Sequence, residues 1–236
     1  MAAIQAVSDA KTVRPVQNGQ IMNILHVSCS PRGQASESDR IAQQIVGFLL
    51  KRDPAAILIN RVIGGGAISH IDGSYATALG LTQPSEAEAF PKGSMSVSDE
   101  LIHELASADV LVIGTPMHNF TVPSSLKAWI DHVVRVRRTF NMTPQGYVGT
   151  LRDRPVFVAV SSGGRYSGER GRQPDFLTPY LKAILGTIGL HDVTFFRVER
   201  TASGPATVAA SRARADEELQ QYFSSHCLQH DGEGLA

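Results

Sequence analysis

"MNILHVSCSPRGQASESDRIAQQIVGFLL" (residues 22–50) is the stretch whose reading decides the fold. It opens with an unbroken apolar run, "MNILHVS" (22–28), of the kind that forms a strand buried on both faces. It closes with Ile41, Ile45, Phe48 and Leu49 at helical spacing after Ser36. The turn between them is rich in hydroxyls. In an open α/β sheet, ligands bind beyond the carboxyl ends of the strands. Free amides at a helix N-terminus there favour a phosphate. Ser30, Ser36 and Ser38 are therefore candidate phosphate donors, with Glu37 offering its amide and turning its carboxylate to solvent. The same residues also suit a cap, since Ser36 and Asp39 have capping-box spacing. The two readings are compatible because a phosphate can take the place of a cap.

Outward from this unit the pattern repeats. "AAILINRV" (55–62), "DVLVIGT" (109–115) and "PVFVAVS" (155–161) read as further buried parallel strands. "DVTFFRV" (192–198) alternates more and suits a sheet edge. Helical patterns separate them. One spans Ser96 to Ala106, with "SVSD" as capping signal and Leu101 and Leu105 on one face. Another starts with Pro123 at its first position and carries Leu126, Trp129, Ile130 and Val133. A third opens at Thr178-Pro179, carries Tyr180, Leu181, Ile184, Leu185 and Ile188 inside, and stops at Gly189. The last runs from Pro205 to Phe223. Strands alternating with helices predict an α/β domain with an open parallel sheet of five strands. The domain is expected over 22–223, preceded by a flexible extension (1–21) and followed by a mobile tail (224–236). Residues 63–95 read as loop with short helices.

Lys+Arg and Asp+Glu both total 22, which argues against a nucleic-acid binder and against the acidic surface of a one-electron shuttle. The two cysteines, Cys29 and Cys227, match no metal spacing and fit a reducing compartment. No apolar run approaches the roughly 18 residues of a membrane span, and the first 21 residues lack a signal-peptide core. A cytoplasmic protein without a metal is expected.

Competing phosphate fingerprints fail. No Gly-x-Gly-x-x-Gly follows the first strand, and "GGG" (64–66) is not followed by Gly-Lys-Ser/Thr. A phosphatase loop built on Cys29 would need an arginine where Ala35 stands. Cys29 reads instead as a small buried apolar side chain.

Two more turns belong to the same rim. After the third strand, "GTPMHNFTVPSSLKAWIDH" (114–132) brackets a stiff tip between Pro116 and Pro123. Such a tip suits the edge of a planar heterocycle, with Asn119 bonding ring heteroatoms and Met117 and Phe120 covering the ring. An ordinary loop whose Met and Phe join the core is the plainer alternative. After the fourth strand, Ser161, Ser162, Gly163 and Gly164 allow close backbone approach to a flat ligand, or form a simple flexible turn.

"SCSPRGQASESDR", "DVLVIGTPMHNFTVPSSLKAWIDHVVR", "TFNMTPQG", "VSSGG" and "DFLTPYLKAILGTIGLHDVTF" together resemble the FMN-dependent NADH-azoreductases, in order. That resemblance implies a flavodoxin-like three-layer fold with strand order 2-1-3-4-5 and a homodimer with active sites at its interface. It also implies one bound FMN per subunit and ping-pong reduction of quinones and azo compounds by NADH or NADPH. Carried onto this sequence, it assigns Ser30, Ser36, Glu37 and Ser38 to the phosphate. Met117, His118, Asn119 and Phe120 fall to the flavin ring, and Ser161, Ser162, Gly163 and Gly164 to its pyrimidine edge. His118 stands where the family commonly has tyrosine, and as the titratable side chain at the tip it is the candidate to pass a proton. A flavodoxin-type electron carrier, or an NAD(P)H:FMN reductase with no azo-reducing role, are the alternatives.

Overall fold

The computed structural model describes residues 21–80, 93–169 and 171–227. Residues 1–20 of the expected extension (1–21) and the tail beyond 227 lie outside the described residues, as does part of the 63–95 stretch. Five parallel strands form the sheet: β1 (Asn23–Ser28), β2 (Ile57–Val62), β3 (Val110–Pro116), β6 (Val156–Ser161) and β7 (Val193–Val198). A separate antiparallel hairpin joins β4 (Phe140–Thr143) to β5 (Gly146–Gly149). The helices are α1 (Glu37–Arg52), α2 (Gly73–Gly80), α3 (Ser94–Ser107), α4 (Ser124–Val133), α5 (Leu177–Thr187) and α6 (Pro205–Cys227). The sheet order is β2-β1-β3-β6-β7, which is 2-1-3-4-5 when only its own strands are counted.

Alternation along each strand divides the core into two layers. On one face Ile24, Val110, Val112, Phe157 and Ala159 meet α1 and α6. On the other Leu25, Leu111, Ile113 and Val158 meet α3, α4 and α5. Ile41, Ile45 and Leu49 are buried on α1 as their spacing requires. Each is worth roughly 1.5–3 kcal/mol relative to exposure. Phe48 lies half-buried at the rim of that stripe and stacks on Phe223, with ring centroids 5.0 Å apart. Trp129 is fully buried and belongs to the core.

Several expectations need correction. β2 is not a doubly buried strand: Ile57 is 50% and Val62 50% exposed. It occupies a sheet edge with a single neighbour, and an apolar run alone does not distinguish edge from centre. The capping signal "SVSD" does not start α3. The helix begins at Ser94, whose amide (3.3 Å) and hydroxyl (2.8 Å) both donate to the Asp72 carboxylate. Pro123 sits at the N-cap of α4 rather than inside it. α6 continues past Phe223 to Cys227, so the tail expected from 224 begins as helix. The β4–β5 hairpin is an addition to the expected elements; its turn is closed by Gly146 at φ 120°. Gly149 of this hairpin packs on the end of α5, where a Cβ would lie 2.2 Å from the Gly189 nitrogen.

Candidate active site

β1, β3 and β6 are neighbours running in one direction, so the turns that leave them emerge side by side at their carboxyl ends. Hydrogen bonds tie those turns together. The Ser125 hydroxyl at the start of α4 donates to the Cys29 carbonyl (3.0 Å). The Met117 amide donates to the Ser161 carbonyl (2.8 Å), and the Phe176 amide to the Phe120 carbonyl (3.0 Å).

Ser30, Ser36 and Ser38 are all buried in the first turn. Ser36 caps α1, its oxygen accepting the Asp39 amide at 3.1 Å, and its hydroxyl lies 3.3 Å from that of Ser38. Ser30 likewise accepts the Arg32 amide at 3.2 Å. In these two contacts the serine acts as acceptor, which leaves a hydroxyl hydrogen to donate to an anion. Among the described residues no partner takes the amides of Glu37 and Ser38. Capping and anion binding thus coexist. The capping box is only half formed, because the Asp39 carboxylate accepts the Ser28 hydroxyl (2.6 Å) instead of reaching back. His26 Nε2 lies 3.9 Å from the same carboxylate, and burial lowers the imidazole pKa.

The Glu37 carboxylate does turn away from this turn, but not to solvent. Arg212 of α6 and Arg40 (3.1 Å) hold it, and they lower its pKa, Arg212 most strongly. The reason is tertiary: α6 crosses beside the start of α1. The glycines 64–66 do not form a nucleotide loop, yet Gly64 presses against the first turn. A Cβ there would stand 2.1 Å from the Ser30 carbonyl oxygen. A glycine run just after the second strand was the signal that could have marked it. Cys29 is free and buried, and desolvation raises its thiol pKa far above the ordinary value.

At the second turn, His118 and Thr121 exchange both backbone hydrogen bonds at 3.0 Å. Asn119 (φ 49°) and Phe120 (φ 69°) occupy its two central positions in the left-handed region. This is a type I′ turn with no glycine. For phenylalanine that conformation is a true outlier, a strain of roughly 1–3 kcal/mol of the sort concentrated at functional loops. His118, Asn119 and Phe120 are exposed, Phe120 by 41%. Met117 follows the plainer of its two readings: its side chain is buried in the core cluster that also holds Val122 and Leu126. Only its amide faces the neighbouring turn, because β3 continues to Pro116 and the alternation carries the thioether inward.

At the third turn, Ser161 ends β6 and Ser162 is buried, its hydroxyl 3.3 Å from Gln173 Oε1. Gly163 is open, with Ala202 at ordinary contact distance (3.6 Å) from an added Cβ. The close approach at Gly164 is made by the Gln173 side chain, 2.0 Å from an added Cβ. The missing side chain at Gly164 thus makes room for Gln173 and leaves the backbone at this turn free of a Cβ.

This rim and sheet order define the class. A family model described as "Flavodoxin-like fold" matches residues 22–223, and the chain belongs to that family. The chain is 45% identical over 204 residues to FMN-dependent NADH:quinone oxidoreductase 4 of Pseudomonas fluorescens, covering 86% of this chain and 97% of the relative. It is 44% identical over 192 residues to FMN-dependent NADH:quinone oxidoreductase 5 of Burkholderia lata, covering 81% and 92%. Among solved structures, an azoreductase from Bacillus anthracis superposes with a TM-score of 0.72 at 19% identity, covering 87% of this chain and 100% of the other. An FMN-dependent NADH-azoreductase from the same species, in complex with FMN, gives 0.69 at 23% identity, covering 86% and 100%. These two likenesses bear on the fold.

Among the described residues no group of three or more His, Cys, Asp and Glu could hold a metal, and no helix is long and apolar enough to cross a membrane.

Proposed function

We propose that this protein is an FMN-dependent oxidoreductase that uses NADH to reduce quinones and azo compounds. One observation carries the reading: the hydroxyl-lined turn after β1, the strained turn after β3 and the Ser161–Ser162 turn are hydrogen-bonded into one rim. The names of the curated relatives supply the donor and the quinone.

The residues fit the cofactor. Ser30, Ser36 and Ser38, with the amides of Glu37 and Ser38, would hold its phosphate. Pairing the Glu37 carboxylate with two guanidiniums offsets a negative charge that would repel that phosphate. His118, Asn119 and Phe120 would edge and cover the ring, and the amide of Met117 fixes their loop to β6. Ser161, Ser162, Gly163 and Gly164 would meet the pyrimidine edge through backbone. Bound FMN supplies the two-electron chemistry between donor and acceptor. The chain's part is to bind and orient it and to shield one ring face, which leaves the other face for donor and acceptor in turn. His118, exposed at the tip of this turn, would lie beside an acceptor, and no step requires it.

The same reading includes a homodimer whose interface completes the site, and a cytoplasmic location consistent with a free buried Cys29. Exposed Phe120 (41%), Tyr147 (66%), Val148 (51%) and Phe176 (60%) support association. Light scattering on the purified chain tests the dimer.

The central test is direct. The purified full chain should be yellow, or take up one FMN per chain on reconstitution, and then oxidise NADH when menadione or an azo dye is supplied. A colourless chain that takes up no FMN sinks the proposal. Flavin binding without NADH consumption would indicate an electron carrier.

A further inference from the structure

Beyond the third turn, alongside edge strand β7 and the outer flank of α6, lies a cavity of about 490 Å³. That volume falls within the roughly 300–1,000 Å³ of small-molecule sites. Arg165, Arg197, Arg200 and Arg214 line it, against two carboxylates, Glu199 and Glu218. The chain as a whole is neutral, so this is a local concentration of positive charge. The Glu199 carboxylate is engaged by its own loop and pairs with none of these arginines. Its two oxygens accept the amides of Tyr166 (2.8 Å) and Ser167 (2.8 Å) and the Ser167 hydroxyl (2.9 Å), which binds them to the loop. Among the described residues, none of the four guanidiniums forms a salt bridge. The Nε atoms of Arg165 and Arg197 are buried with no hydrogen-bond partner. The Arg197 guanidinium lies over the Phe195 ring, 5.6 Å from its centroid, which orients it.

We propose that this cavity is a second anion site and that it binds a phosphate group. An anion in the cavity would give the arginines that line it the charged acceptor that none of them has as a salt bridge. Guanidiniums match phosphate and carboxylate alike, but four arginines lining one cavity offer more donors than the two oxygens of a carboxylate can engage. A phosphate or pyrophosphate supplies enough acceptors. Thr207 and Ser211 of α6 add hydroxyls to the same wall.

The site is coupled to the flavin rim through the backbone. Arg165 follows Gly163 and Gly164 directly, and the Arg200 amide donates to the Gly164 carbonyl at 3.1 Å. Two sources of phosphate share this chemistry: the phosphates of the dinucleotide donor, and a separate phosphorylated small molecule. The first source rests on the function proposed above; the site itself does not.

Inorganic pyrophosphate titrated into the FMN-saturated full chain at low ionic strength, followed by calorimetry, tests the proposal. One site per chain is expected. Arg214→Gln, on an exposed part of α6, and Arg165→Gln, on the loop, should each weaken it at least tenfold with melting temperatures near wild type. Arg52→Gln, outside the cavity, should bind as wild type does. Absence of saturable binding, or equal affinity in all variants, overturns the site. So does binding that FMN abolishes, because the anion then sits at the serine turn. Should the chain fail to take up FMN, the same Arg-dependent titration on the flavin-free protein still decides the anion site. The source is read from kinetics. A rise in KM for NADH with pyrophosphate, lost in Arg214→Gln, identifies the donor's phosphate; an unchanged KM identifies a separate ligand. Either result upholds the site.

Discussion

Gly64 lies so close to Ser30 that a Cβ would reach within 2.1 Å of the Ser30 carbonyl oxygen. The turn after β2 is therefore the floor under the turn after β1. The obstructing atoms are backbone, so no side chain can swing aside.

Gly64→Ala should push the first turn outward, destabilise the fold by about 1–3 kcal/mol through overpacking and weaken FMN retention. Gly163→Ala, where the nearest atom is at 3.6 Å, should leave the fold near wild type. Thermal melts and flavin fluorescence titrations on both variants check the contrast. Equal melting temperatures would show that the floor is not rigid.

The serines separate by the second role of each. Ser36→Ala removes the cap on Asp39 and should cost about 0.5–2 kcal/mol of stability as well as FMN affinity. Ser38→Ala caps no amide among the described residues, and should lower FMN affinity with a smaller loss of stability. Denaturant unfolding without flavin, beside FMN titration, resolves the two effects. Matching losses in both variants would reduce the turn to a cap.

Phe120→Gly should relieve the left-handed strain at φ 69° and raise the stability of the flavin-free chain by up to about 1 kcal/mol. The same change removes the exposed ring proposed to cover the flavin, so FMN should dissociate faster. A variant that is both less stable and unchanged in FMN release would contradict the strained-cover reading.

Glu37 carries a pH prediction. Its folded pKa lies below the ordinary carboxylate value of 4.5, held down chiefly by Arg212. A depressed folded pKa stabilises the fold above the unfolded value and loses that contribution as pH falls through the folded one. Arg212→Ala should therefore melt below wild type at neutral pH. The gap should close as pH drops through and below the carboxylate range. Melting curves at pH 7 and pH 3 provide the comparison; a gap independent of pH would assign the effect to packing alone.

Much of this molecule was legible in the chain. Continuous apolar runs mark strands buried on both faces, and 3.6-residue spacing marks the helices between them; both signals are local and survive without knowledge of the neighbours. Those patterns located every strand of the parallel sheet and the hydroxyl-rich turn that leaves β1. They failed where the cause lies elsewhere in the chain. Whether β2 is edge or centre depends on how many strands flank it. Whether Met117 points at a ligand or into the core depends on how far β3 extends before it turns.

Sequence by itself determined the alternating α/β order and the grouping of serines at one helix start, since these follow from side-chain period and type. Tertiary structure decided the rest. It placed Gly64 beneath Ser30, drew Glu37 between Arg40 and Arg212, handed Gly164 to Gln173, and gathered four arginines around one cavity. Each of these joins residues far apart in the chain, and only packing sets the distances on which steric exclusion and charge pairing depend.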